Sequence, residues 1–386
     1  MTGGVERFPG EFEGARSRRT DEPGTSWTPR HRTRYDRPVT DRSEPASARR
    51  RAPNRRVFVS GPVLALDLGA SRIRAAVVLP DGTIVSRADA TTRVAAGPEA
   101  VLADSVALLR QVREAAPAPV AGGLVAVGLC APGPVDPSTG TLVEPPNLGP
   151  AFRDAPFARP IGRALGLPAF LDRDTHVAIL GELHFGAARG ARDVIYLTVS
   201  TGIGGAILTH GELLTGPDGV AGELGHMVVD FDGPPCGCGG RGHLETYSSG
   251  VGIVRAAREA IEAGTAPGLA ALERRLLPAS LSARDVAEAE DAGDVAAAAV
   301  MVTARTAFAA AIVGLVDVFT PELIVVGGSV ARGQGERWLQ PARDEVRRVA
   351  FRIPAARVRI VPAALGDDVG LVGAIGLVAA RLGGGR

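Results

Sequence analysis

The densest chemistry in this chain of 386 residues lies at 222–245, GELGHMVVDFDGPPCGCGGRGHLE, where carboxylates, imidazoles and thiols share one loop-rich segment. His226, Cys236, Cys238 and His243 offer four soft or borderline donors, the stoichiometry of a tetrahedral structural zinc ion. Two of the chain's 3 cysteines fall in this one C-x-C, a spacing too tight for an easy disulfide between them, so a metal is the expected tenant. In the competing reading the cysteines are small hydrophobes and the histidines are surface residues.

Composition excludes several classes of function. The 43 basic and 42 acidic residues nearly cancel, and no basic stripe marks the globular part, so nucleic acid is not an expected partner. All 43 basic side chains are arginine, and no G-x-x-x-x-G-K-[ST] phosphate loop exists. The few cysteines, with no secretory signal or long apolar run, predict a reducing, cytoplasmic setting away from membranes. Residues 1–56 are rich in Arg, Pro, Ser and Thr, with Phe8, Phe12, Trp27 and Tyr35 isolated among polar neighbours, and they read as a disordered tail. The arginines at 49–51, 55 and 56 also suit a basic arm, but interspersed acids favour solvated linker, and no helix pair suits a helix-turn-helix.

The elements that must position the chemistry begin at 57. Strands are expected at 63–67, 73–79 and 83–87, then a helix at 98–113, a buried strand at 124–129, a short helix at 157–165 and a strand at 169–171. Asp67 ends the first strand and is followed by Gly69 and Ser71, which suits either Mg²⁺ and phosphate or a plain turn. Asp174 falls at or near the start of a helix ending by 182, and reads on these grounds as an N-cap or a base, the N-cap being favoured. Strands at 194–199 and 204–208 bracket a glycine-rich hairpin that lets backbone approach phosphates. Helices at 250–263, 283–290, 294–319, 335–349 and 370–381, with strands at 323–326 and 357–361, complete an α/β alternation that favours a parallel sheet.

Several motifs in this order resemble the ROK family of repressors, open reading frames and sugar kinases. They are DLGAS at 67–71, GLCAPGPVD at 128–136, RD at 173–174, STGIG at 200–204, ELGH at 223–226 and CGCGGRGHLE at 236–245. The resemblance implies an actin-like, ribonuclease-H-like two-lobed α/β fold, with one lobe at 57–173 rejoined by the helix 368–386 and the other at 174–367, carrying a zinc loop at 226–243. It implies ATP-dependent, glucokinase-like phosphorylation of a hexose at the 6-hydroxyl by a homodimer. Asp174 would be the base, and Gly133, Asn147, Arg173, Glu223, His226 and Glu245 would surround the sugar. Asp67, Gly69, Ser71, Thr201 and Gly202 would meet ATP phosphates and Mg²⁺, with Gly327 and Gly328 near adenosine. His226, Cys236, Cys238 and His243 would hold structural Zn²⁺.

The chain departs from the family pattern at Ala70 (usually Gly), Ser200 (usually Gly), His243 (usually Cys) and Arg173 (usually Asn). An arginine beside Asp174 favours its carboxylate form and weakens it as a base. Arg173 is expected to reach into the sugar pocket. The alternatives are pairing with Asp172 or Glu182, or binding an acidic sugar. Two further functions follow as alternatives: a catalytically impaired sugar sensor, or a kinase of an N-acylated or acidic sugar. The repressor branch would need a winged helix that 1–56 does not supply.

Overall fold

Apolar runs punctuated by glycine turns build two five-stranded sheets in the computed structural model, which describes residues 59–383. The expected tail at 1–56 lies outside these residues. In the first sheet, the three expected strands, β1 (Val63–Leu68), β2 (Arg72–Val78) and β3 (Ile84–Thr91), form an antiparallel meander. Helices α1 (Pro98–Ala115) and α2 (Ala118–Gly122) lead to β4 (Ala126–Ala131), which pairs parallel to β1. A small antiparallel sheet follows, made of β5 (Val135–Asp136), β6 (Thr141–Leu142) and β7 (Ala155–Pro156). After α3 (Ala158–Leu165), β8 (Ala169–Arg173) pairs parallel to β4 and runs directly into α4 (Asp174–His184). The order is β3-β2-β1-β4-β8, and its parallel members place Asp67, Cys130 and Asp172 side by side in register.

The second sheet repeats this plan. Strands β9 (Val194–Val199), β10 (Ile203–Thr209) and β11 (Glu212–Leu213) form its antiparallel half. Five helices follow: α5 (Leu244–Ser248), α6 (Gly250–Glu262), α7 (Pro267–Leu276), α8 (Ala283–Asp291) and α9 (Val295–Phe319). Then β12 (Leu323–Gly327), α10 (Ser329–Gln334), α11 (Glu336–Val349), α12 (Arg352–Ala355), β13 (Arg359–Pro362) and α13 (Val369–Gly383) close the described chain. The order is β11-β10-β9-β12-β13, with β12 parallel to both neighbours. Both sheets are therefore mixed. The parallel sheet expected from the α/β alternation describes only half of each, because a tight Gly turn returns the chain beside itself at the start of each sheet.

Core packing explains the placement of the long helices. The alanine-rich α9 has the length and hydropathy of a membrane span, at a mean of 1.9. Its apolar face, including Met301, Phe308, Ile312 and Leu315, instead packs into the core beneath the second sheet with Trp338 of α11. Helix α13 packs against α4 and the first sheet. Close approach there demands glycine: a Cβ on Gly373 would lie 2.2 Å from the carbonyl oxygen of Val177.

Candidate active site

The junction of β8 and α4 sets the chemistry. Asp174 is the first residue of α4 rather than its N-cap, which is Arg173, and its Oδ1 accepts the N–H of Thr175 at 2.7 Å. The carboxylate opens to solvent but is crowded by protein on its other sides. That partial burial raises its pKa above the ordinary value, and the negative charges of Asp67 and Glu223 add to the effect. The N–H of Thr175 and the guanidinium of Arg173 pull the other way and are outweighed. Arg173 thus acts in the expected direction, favouring the carboxylate form, but burial outweighs it.

Arg173 itself is engaged by several partners. Its side chain is buried and turns toward the second sheet, with Nε donating to Thr175 Oγ1 at 3.0 Å, Nη2 to the Gly205 carbonyl at 3.0 Å and Nη1 to the Ala221 carbonyl at 3.3 Å. Nη1 also pairs with Glu223 Oε1 at 3.0 Å. The alternative side-chain pairing with Asp172 or Glu182 does not occur, and the guanidinium instead meets Glu223, one of the residues expected around the sugar. Asp172 instead bonds His176 Nδ1 at 2.8 Å and Arg381 Nη2 at 3.0 Å, while Glu182 accepts backbone N–H groups of Ala187, Ala364 and Leu365. Gly133 backs onto Arg173, its would-be Cβ 3.5 Å from the arginine Cβ.

Asp67 closes β1 opposite Arg74 of β2, and the two side chains form an ion pair. The loop between them is tight: the Gly69 N–H donates to the Arg72 carbonyl at 2.9 Å, and the Thr92 hydroxyl to the Gly69 carbonyl at 2.7 Å. Ser71 is exposed on the same loop. The second glycine hairpin, carrying Thr201 and Gly202 between β9 and β10, is tied to α6 by the Gly250 N–H, which donates to the Ser200 carbonyl at 2.7 Å. Ser200 Oγ stands 3.0 Å from Ser329 Oγ. Glu245 supports this hairpin as well, its Oε2 accepting the Ile203 N–H at 2.8 Å. Gly327 and Gly328 form the turn after β12, where Gly328 has φ +93° and a Cβ would strike the Val199 carbonyl at 2.2 Å.

Two cavities meet at these loops. One of about 1260 Å³ runs from Ser200 and Thr201 between α6, α8 and α10. A smaller one of about 290 Å³ is walled by Arg74, Thr198, Ser200, Gly327, Gly328 and Arg332. A glycine-walled space of that kind beside hydroxyls and arginines suits a phosphorylated ligand.

The Cys/His segment folds so that one donor atom from each of His226, Cys236, Cys238 and His243 lies within 4.8 Å of every other. Nδ1 of His226 is 3.3 Å from Nδ1 of His243 and 3.7 Å from the Cys236 sulfur, and the Cys238 sulfur is 3.3 Å from His243 Nδ1. Zinc bonds of about 2.0–2.3 Å place tetrahedral ligands roughly 3.3–3.8 Å apart, the range in which these three separations fall. The His226 ring turns Nδ1 to the cluster from the short turn Leu224–His226, beside the Arg173 partner Glu223.

Asn147 stands apart, exposed on the turn between β6 and β7, with no hydrogen bond among the described residues to the others. Sequence reasoning missed Arg74, Cys130 and Asp367. Cys130 is a buried thiol whose pKa burial pushes well up, with Asp67 and Asp174 contributing. The signal for Arg74 was available: a hairpin turning at Gly69–Ser71 pairs 68 with 73 and hence Asp67 with Arg74.

Comparison with known proteins agrees with this fold. The family model of the ROK family matches residues 63–381. The glucokinase of Thermotoga maritima is 33% identical over 326 residues, spanning 83% of this chain and 98% of that protein. A ROK family glucokinase from Streptomyces griseus, solved in complex with glucose and AMPPNP, superposes with TM-score 0.69 at 32% identity, covering 83% of this chain and 100% of that one. A ROK hexokinase from Thermus thermophilus gives TM-score 0.67 at 32% identity, covering 83% and 98%.

Proposed function

The chain belongs to the ROK family, with its actin-like, ribonuclease-H-like fold, and from that membership we propose that it phosphorylates the 6-hydroxyl of a hexose with ATP, as a glucokinase does. The observation that carries this reading is Asp174, a cleft carboxylate with a raised pKa at the junction of the two sheets, across from Asp67 and Glu223. Asp174 takes the proton of the 6-hydroxyl as the oxygen's electron pair forms a bond to the terminal phosphorus. The bond from that phosphorus to the bridging oxygen breaks and ADP leaves. Mg²⁺, when bound, neutralises phosphate charge, and Asp67 is the carboxylate that would hold it. Ser71, Thr201, Gly69 and Gly202 present hydroxyls and backbone to the phosphates, with Gly327 and Gly328 beside the nucleoside. Glu223, His226, Glu245, Asn147 and Gly133 bind the sugar, and Glu223 is held for that task by Arg173.

His226, Cys236, Cys238 and His243 hold one structural zinc, which stiffens the loop presenting His226 and Glu245. The engagement of Arg173 with Glu223 and with backbone carbonyls favours a neutral hexose over an acidic one. Lobes at 57–173 with 368–386, and at 174–367, close over both substrates. The protein acts in the cytoplasm as a homodimer. A coupled assay of ADP release across glucose, mannose, fructose, allose, N-acetylglucosamine and N-acetylmannosamine tests the reading. Turnover on a neutral hexose is expected, and none on any of the six sugars would overturn it.

A further inference from the structure

Phosphoryl transfer needs cationic charge on the transferred group, and this chain has no lysine to supply it. Arg74 is placed for the task. It leaves β2 directly opposite Asp67, bonds that carboxylate through Nη2, and donates through Nη1 to the Asp367 carbonyl at 2.6 Å. Arg332 of α10 reaches the same residue, its Nη1 2.7 Å from Asp367 Oδ1. Both guanidinium groups line the small cavity walled by Ser200 and the turn at Gly327 and Gly328. The Arg74 side chain is 24% exposed, so it is anchored at one end and open at the cavity wall.

Resting on the kinase reading above, we propose that Arg74 binds the phosphoanhydride chain of the donor, contacting the β- and γ-phosphate oxygens. A guanidinium carries five N–H donors in a planar fork, and the two bonds to Asp67 and Asp367 leave others to point into the cavity. The bond to Asp67 also fixes the two groups relative to each other, so that a carboxylate suited to a cation and a cation suited to phosphate face the same space. Arg332 is held at the same cavity by the side chain of Asp367, the residue whose carbonyl accepts from Arg74, and frames the same phosphate chain.

The test measures binding of ATP, ADP and AMP by calorimetry, with Mg²⁺ present and sugar absent, in the wild-type chain and in Arg74→Gln. Loss of a β,γ contact should weaken ATP at least tenfold and ADP to a lesser degree, leaving AMP within twofold. A merely structural arginine would lower all three affinities together, and that result, or no change in any, overturns the inference. Wild-type protein that binds no nucleotide would sink the kinase reading itself, and the inference with it. Wild-type protein that binds ATP normally beside an unchanged variant sinks only the role of Arg74. Should Arg74→Gln fail to fold, Arg74→Lys keeps the charge but loses the fork. It should weaken ATP several-fold with AMP unchanged, and equal affinities in that variant overturn the inference.

Discussion

Asp174 ionises against its surroundings, and this has consequences for both stability and rate. Its folded pKa lies above its ordinary value of 3.8, so the folded chain binds this proton more tightly than the unfolded chain does. The contribution to stability is therefore present at low pH and lost as pH rises through the folded pKa, leaving an ionised Asp174 that destabilises the protein at neutral pH. Asp174→Asn should melt higher than wild type at pH 7, with the gap closing below pH 4, in paired thermal melts. It should lose most turnover, by about a hundredfold or more, while sugar affinity changes little. The kcat of the wild type should fall on the acid side with a midpoint above the usual carboxylate range, and a midpoint near 3.8 would contradict the assigned environment. Spacing put Asp174 at the start of a helix but favoured it as the N-cap, which is Arg173, and it did not foresee where Arg173 turns, because the partners of its guanidinium, Gly205, Ala221 and Glu223, are 32 to 50 residues away. Arg173→Asn is accordingly expected to cost roughly 2–3 kcal/mol in urea titration, discounted for the half-exposed Glu223, through orphaned carbonyls. Higher turnover without that cost would mean that the arginine obstructs the sugar pocket after all.

Elements were legible where period and punctuation agreed. The strands β1, β9 and β12 read as apolar runs with a glycine turn close behind, and α9 and α11 began and stopped within a residue or two of expectation. The two-residue strands β5, β6 and β7 carry no period to detect, and the five-residue α5 starts at the end of the Cys/His segment, whose composition reads as loop. Nor does sequence reveal which helices touch. The α4–α13 crossing depends on Gly373 lying against the Val177 carbonyl, a contact between residues far apart in the chain. Gly373→Ala should force those helices apart and destabilise the protein by about 1–3 kcal/mol, measured by chemical denaturation. An unchanged midpoint would show that the crossing relaxes freely. The Cys/His loop obeys a different rule, since it has few apolar side chains to bury and its order depends on its donors. Elemental analysis of protein never exposed to chelator should give one zinc per chain, and Cys238→Ser should lower that content and raise amide exchange across 226–243 before the rest of the chain responds.

At the scale of the whole described chain, the proposed sugar and nucleotide residues are divided between two sheets, and polar ties, some buried and some exposed, join the segments that carry them. Asp172, at the end of the first sheet, bonds His176 of α4 and Arg381 of α13. Glu182 of α4 receives the N–H groups of Ala364 and Leu365, which follow β13 of the second sheet. Arg74 and Arg87 of the first sheet reach Asp367 and Asp368 on the loop leading into α13. This connectivity was not legible in the sequence, where Asp172, Glu182 and Asp367 resemble any other acids. If closure of one sheet's loops on the other is what assembles the site, each ligand must favour the arrangement that the other binds, and the coupling must be reciprocal. Glucose affinity should rise by roughly fivefold in saturating AMPPNP, and AMPPNP affinity should rise by the same factor in saturating glucose. Calorimetric titrations in both orders measure this. Equal affinities with and without the second ligand would mean that the two halves bind independently, and that Asp174 and the phosphate loops stand in their working geometry without closure.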